Sequence, residues 1–457
     1  MRSSRPAKAL TTLVAALVAG VGVIAAPAAT ASGRASAPAG HLRARTSIIS
    51  VDAMGRPADG YHGDPFWVSE DGRYVGFSSS SADLVPGDTN ERWDLFIRDR
   101  RRDTTRRIAI DSYDAHLAGS MSMSPDGRHL AFASGGETLV PGDTNDMSDA
   151  FVRDLRTGRT SRVSVSGANR QADGASEEAD ISADGRYVAF SSQATNLVPG
   201  DTNGEQDIFV RDVRAGSTRR VSLSSVGRQA DERSSGPLIS ADGRYVAFSS
   251  MASTLVAGDR NGTWDVFVRD LRTGTTTRVS VSGTRAGGNG ASYGRAMSRD
   301  GRYVAFFSDS SNLVPGDTNR IRDMFLRDLR TGATSRVSVP QTGRQANADS
   351  DGASISADGR FVAFRSFASN LVPGDTNGDA DVFVRDRWRR TTTRVSVATS
   401  GAQAAGPSGS PVMNGSGLHL AFPSYAGNLA PGDAASTADV FHRSMPPAPR
   451  AAHPLRR

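Results

Sequence analysis

A phrase of the form D-x-N-x-x-x-D returns along this chain. In two copies, Asp201-Asn203-Glu205-Asp207 and Asp375-Asn377-Asp379-Asp381, it sets four oxygen-bearing side chains at alternate positions. That is how a loop collects ligands for calcium, which takes six to eight oxygens, several of them carboxylate. Other copies break the set, because the fifth position is Arg92, Met147, Thr263 and Ile321 in four of them. The phrase therefore predicts a structural turn, with calcium as the alternative at the two acidic loops and no other cofactor. A second group of chemistry-bearing residues departs from the repeated wording near the start of the chain. "DGYHGDPFW" supplies Tyr61, His62, Asp64 and Trp67, "DTNERWD" supplies Trp93, and "DSYDAH" supplies Tyr113, Asp114 and His116. Aromatic faces beside carboxylates suit stacking and hydrogen bonding to a sugar or a peptide. Tyr61, His62, Asp64, Trp93, Tyr113 and His116 are the candidate ligand-binding residues. The competing reading is local repacking at a seam, and Trp67 fits a core position equally well.

The catalytic inventory is thin. No G-x-S-x-G elbow at a strand-to-helix turn is present, since the string "GASYG" at 290–294 stands in a repeat that reads as all-β. His129 and His419 take the place of Tyr187 and Tyr245 in "DGRYVAF", and His442 replaces a strand valine. A carboxylate pair for acid–base work cannot be chosen from spacing alone. No catalytic residue is assigned, and a binding role is expected ahead of an enzymatic one.

The elements that carry these residues repeat with a fixed period. The first aspartate of the phrase is Asp88, Asp143, Asp201, Asp259, Asp317, Asp375 and Asp433, one step of 55 residues and five of 58. Periods of this size indicate a solenoid or a propeller. Within a unit, "ADIS", "RYVAFSS", "DIFVRD" and "RRVSLS" (residues 179–224) read as four strands, rich in β-branched and aromatic residues and punctuated by Asp-Gly and Ala-Gly turns. Both faces of "YVAF" are apolar, so each sheet is covered on both sides. "VPGD" suits a type II turn, with glycine at the positive dihedral. Leu84, Leu139, Leu197, Leu255, Leu313, Leu371 and Leu429 should tuck that loop onto the sheet. The arginine and aspartate of "FVRD" predict pairing within or between units.

"TSIISV", residues 46–51, matches a fourth strand such as "TSRVSV" at 160–165, while the last repeat ends after its third strand at "DVFHRS". Pairing the two closes a ring and removes its open edges. The expectation is an all-β, seven-bladed β-propeller of four antiparallel strands per blade over residues 46–444. Both long loops of each blade, between strands two and three and from strand four onward, should emerge on one face.

Composition bounds the rest. Residues 1–31 have a positive start, an apolar run and "ATA" before Ser32, the pattern of a secretory signal peptide, with a retained membrane anchor as the alternative. Residues 32–45 read as a flexible linker and 445–457 as a disordered Pro/Arg tail. Cysteine is absent, which excludes disulfides and thiolate chemistry. The first 45 residues carry +6 and the tail after Ser444 carries +3 against a chain total of +6, so the body between them stands at −3. A nucleic-acid binder carries its positive charge on the folded body, so nucleic acid is not an expected partner.

"SADGRYVAFSS…DIFVRD…TRRVS" resembles the WD40-like PD40 repeats of the TolB β-propeller superfamily over residues 46–444, in an actinobacterial-looking version with one lysine against 53 arginines. The resemblance implies the propeller fold. Such propellers serve as binding platforms, peptidase gates and occasional lyases, and the lyases use a histidine-rich metal site that this chain lacks. TolB itself carries a separate N-terminal domain that residues 32–45 are too short to supply, so its particular partnership is not carried over. The combined expectation is a secreted, monomeric binding or scaffold protein, extracellular or held at the cell envelope, with no membrane span after cleavage. It would recognise a protein or an envelope carbohydrate on its long-loop face. The alternative is a carbohydrate-active hydrolase or lyase.

Overall fold

The computed structural model describes residues 44–89, 92–108, 121–136, 138–433 and 437–446. Its strands form seven four-stranded antiparallel sheets. Six are built from consecutive strands. The seventh combines Val412–Met413, His419–Ser424 and Asp439–Ser444 with the N-terminal strand Arg45–Ile48. The predicted seven-bladed propeller, closed by its N-terminal strand, is the fold of the chain. Among the described residues no helix is long and apolar enough to cross a membrane.

Blade three shows why these words make this unit. Its strands are Ser176–Ile181, Tyr187–Ser192, Asp207–Asp212 and Ser217–Arg220. Val188, Ala189 and Phe190 are all fully buried, as the two-sided apolar pattern requires. Phe190 pairs in register with Phe209, and the rings stack 5.8 Å apart. The same cross-strand pair recurs in every blade, at 5.5 to 6.1 Å. One blade's third strand packs on the second strand of the next: Ala150 and Val152 share a cluster with Val188 and Phe190. The core therefore lies between blades rather than within any one of them. The fourth strand pairs earlier than its apolar residues suggested. Its ladder ends at Arg220, after which Val221 N still donates to Ile208 O (2.6 Å) while the chain turns into the long loop.

The repeated polar words hold this arrangement. In each of blades one to six the arginine after Asp-Gly clamps the aspartate that ends strand three, as Arg186 does Asp212 at 2.7 Å and Arg302 does Asp328 at 2.6 Å. The arginine of "FVRD" instead reaches the preceding blade. Arg269 Nη1 donates to Leu223 O (2.8 Å) and Ser224 O (3.1 Å), and Arg327 and Arg385 repeat the contact. In "VPGD" the glycine takes the positive dihedral, +74° at Gly200, and Leu197 is buried beneath it. Leu139 alone of the seven leucines is only partly buried.

Candidate functional site

The acidic loops face an internal cation. Asp201 and Asp207 lie 3.4 and 3.1 Å from the guanidinium of Arg220, the last residue of the fourth strand. Asn203 Nδ2 donates to Asp207 (3.0 Å), and Ser222 donates to its other oxygen. In blade six Arg394 sits 3.0 Å from Asp375 and 3.3 Å from Asp381, with Asn377 again on Asp381. The backbone amides of Glu205 and Asp379 donate to the Oδ1 of Asn203 and Asn377, at 3.4 and 3.2 Å. Arg107, Arg162, Arg278 and Arg336 repeat the arrangement in the other four complete blades. A donor set already wrapped around a guanidinium does not fit calcium, because a second cation would meet the first. Burial pushes the Asp201 carboxyl up to about 6, against the pull of Arg220. Among the described residues no three His, Cys, Asp or Glu side chains are grouped to hold a metal.

The blade-one candidates do not share one surface. Tyr61 is exposed on the long-loop face (66 %). His62 is buried in the blade and occupies the place of Ser176, Ser234, Ser292, Ser350 and Ser408. Its Nδ1 lies 2.8 Å from Ser79 Oγ, as Ser176 Oγ lies from Ser192 Oγ, and its Nε2 lies 3.3 Å from Ala58 O. Burial lowers its pKa, against the opposing pull of Ala58 O and Asp83. Asp64 lines the central channel. Trp93 is half-buried against Gly63, where a Cβ would stand 3.0 Å from its ring. Trp67 is core, over Gly127 in the next blade. Tyr113, Asp114 and His116 lie outside the described residues.

Superposing the repeats by their strand register reveals a second, denser set of departures. At the fifth position of strand two, blades one to four carry Ser78, Ala133, Ser191 and Ser249, but blades five and six carry Phe307 and Arg365. Two residues later come Gln193 and Met251, then Asp309 and Phe367. In strand one, Arg295 takes the place held elsewhere by Ala179, Pro237 and Ala353, and Tyr293 the place held by Glu177, Ser235 and Asp351. These positions meet in space. Arg233 lies over Trp264 (5.3 Å), Trp264 over Tyr293 (5.5 Å), and Tyr293 over Phe307 (5.1 Å). Arg295 and Arg322 flank Phe307, each 4.7 Å from the ring centre. Asp309 accepts from Arg322 at 3.1 Å. In blade six, Arg365 makes a two-pronged contact with Asp351 (2.7 and 2.8 Å) and lies 5.5 Å from the ring of Phe367, an exposed aromatic.

This cluster meets the central channel at Arg295, Asp351 and Arg365, which line a cavity of about 500 Å³ formed by the first strands. It lies toward the long-loop face, since Tyr293 and Phe307 are partners at the end of the ladder where those loops begin. Burial pushes the Asp64 carboxyl up, and Arg365 opposes it. Burial also raises the Tyr293 phenol, with Asp309 adding to the effect. Stacked aromatic faces, guanidinium groups and paired carboxylates at one mouth can recognise a polar ligand with a planar or apolar face. Composition did not reveal this set, because each residue is ordinary on its own. Comparing each strand position across the seven repeats would have found it.

No protein-family model matches this chain. No curated protein matches it either. Solved structures of similar fold include an oligogalacturonate lyase from Vibrio parahaemolyticus at 12 % identity and a TM-score of 0.53, covering 90 % of this chain and 99 % of that one. An oligogalacturonate lyase in complex with manganese gives a TM-score of 0.52 at 12 % identity over 89 % and 98 % of the two chains. A putative TolB from Agrobacterium tumefaciens is also among them, at 17 % identity, a TM-score of 0.41, and 78 % and 98 % coverage. These likenesses are of fold.

Proposed function

We propose that this chain is an exported binding platform whose ligand, a protein or an envelope glycan, docks on the long-loop face at the mouth of the channel between blades four and six. One observation carries the reading: residues unlike their repeat counterparts converge there, Arg233, Tyr293, Phe307, Arg295 and Arg322, around Trp264, whose place Trp93 takes in blade one. A residue present in every blade serves what every blade must do. A residue present in one blade, beside other such residues, is free to serve a ligand. The rigid closed ring supports this, because a preorganised face loses little entropy on binding. The signal-peptide pattern and the absence of cysteine accord with export of a monomer stabilised by burial alone.

A second reading, a carbohydrate-active hydrolase or lyase, is favoured by Asp64, whose burial-raised carboxyl faces Arg365 in the channel. One experiment separates the two. The purified protein and its Trp264→Ala/Phe367→Ala variant are screened for binding and turnover on arrays of envelope and plant glycans and envelope peptides. Binding without turnover, reduced at least tenfold in the variant, is expected. Turnover lost in Asp64→Asn would establish the enzyme instead, and binding unchanged in the double variant would move the site elsewhere.

A further inference from the structure

Arg295 is the anomaly within that cluster. It occupies a bulge of the strand Ser292–Met297, where pairing passes from Gly294–Phe306 to Ala296–Ala305 and skips it. A bulge re-aims the extra side chain, and here it delivers the guanidinium into the channel. Blades three and four bulge at the same place, over Glu178–Ala179 and Gly236–Pro237, and blade six one residue earlier at Gly352. The residues aligned with Arg295 are Ala179, Pro237 and Ala353, which bring no charge. Nearby carboxylates are engaged elsewhere: Asp351 by Arg365, and Glu178 by the amide of Gly236 at 2.7 Å. Among the described residues Arg295 makes no ion pair, and its side chain lies on the ring of Phe307. Arg233, at the other end of the aromatic run, likewise makes no ion pair among the described residues. Asp351 and Glu178 favour the charge of Arg295 from beyond contact distance, which leaves its guanidinium without a bidentate partner, and a carboxylate is the partner it fits best.

Resting on the binding reading above, we propose that this mouth is a subsite for an acidic glycan whose sugar rings lie on Trp264 and Tyr293 and whose carboxylate reaches Arg295. The spacing supports sugar units, because neighbouring aromatic faces follow one another at 5.5 and 5.1 Å with an arginine at each end of the run. Pyranose rings present flat C–H faces to such a surface. An acidic peptide would add its backbone to an exposed strand edge. The inner strands are poor templates for that, since Pro65, Pro237 and Pro411 remove donors and every long inner strand is bulged.

The test measures binding of the purified full-length protein to polygalacturonate and alginate, with a neutral galactan and polyglutamate as comparators, at low and high salt. Polyuronate binding that weakens with salt is expected, along with little binding of either comparator. Arg295→Ala should reduce polyuronate affinity about tenfold with an unchanged melting temperature, because alanine is what blades three and six carry at that position. Arg295→Lys should recover part of the loss, since charge survives without the bidentate fork. Full affinity in Arg295→Ala, or equal binding of polyglutamate, would overturn the assignment. Capture of only the neutral glycan or only the peptide would remove the acidic sugar and leave the platform standing. Silence of all three classes would remove both.

Discussion

At the scale of the residue, the chain solves with arginine what other loops solve with a metal. Six blades place a guanidinium between two loop aspartates. The seventh cannot, because its fourth strand comes from the N-terminus and brings Ile48 to the site that Arg220 holds in blade three. Asp439 there bonds Ser50 (2.6 Å) and Asp433, with His62 Nε2 3.7 Å away. Burial raises the Asp439 carboxyl to about 6, and Asp433 adds to the rise. The sign follows from linkage. Between its unfolded value near 4 and its folded value near 6, the native state holds a proton that the unfolded chain has released. This group therefore favours folding most below pH 4, and its contribution is lost as pH rises to 6. Asp439→Asn should flatten that part of the stability profile, by on the order of 2 kcal/mol. Ile48→Arg should do the same by supplying the missing cation. Melting temperature against pH checks both, and parallel profiles for wild type and Asp439→Asn would refute the assignment.

At the scale of the element, strand identity was legible because both faces of "YVAF" and "IFV" are apolar, and turns were legible because Asp-Gly and Pro-Gly restrict the backbone. Boundaries were not. Strand one was read as 179–182 in blade three but runs Ser176–Ile181, since it carries Glu177, Glu178 and Asp180, the last lining a channel that no local pattern announces. The turns also carry contacts that the sequence hides. Gly200 and Gly243 both take positive dihedrals, +74° and +69°. A Cβ at Gly200 would meet nothing within 4 Å, whereas one at Gly243 would overlap the ring of Tyr187 in the preceding blade. Gly200→Ala should therefore cost about 1 kcal/mol from backbone strain alone. Gly243→Ala should cost clearly more, about 2–4 kcal/mol, through added overpacking. Chemical denaturation measures the pair, and equal losses would mean that the blade-to-blade contact contributes nothing.

At the scale of the whole molecule, closure decides stability. Arg45–Ile48 pairs with Phe441–Ser444, Arg443 Nη1 donates to Thr46 Oγ1 (2.7 Å), and Ile49 N donates to Val440 O (2.7 Å). A chain lacking residues 1–51 leaves the strand Asp439–Ser444 as a bare edge, which invites pairing between molecules. It should lose the single cooperative melting transition and self-associate, as light scattering would show. A monomeric, fully cooperative truncated protein would contradict the closed-ring account. The sequence by itself determined the number of blades, their strand content and the closing strand, because those follow from period, hydrophobic alternation and turn chemistry, all local to one repeat. It also singled out blade one, and there the tertiary structure divided the candidates: His62 turns inward to Ser79, Tyr61 outward, and Asp64 into the channel. Only the ring could bring Arg233, Trp264, Tyr293, Arg295, Phe307 and Arg322 together. They are drawn from two blades and separated by up to 89 positions in the chain. A site of this kind is set by which strand ends point at a common axis, and that axis exists only once seven sheets have closed around it.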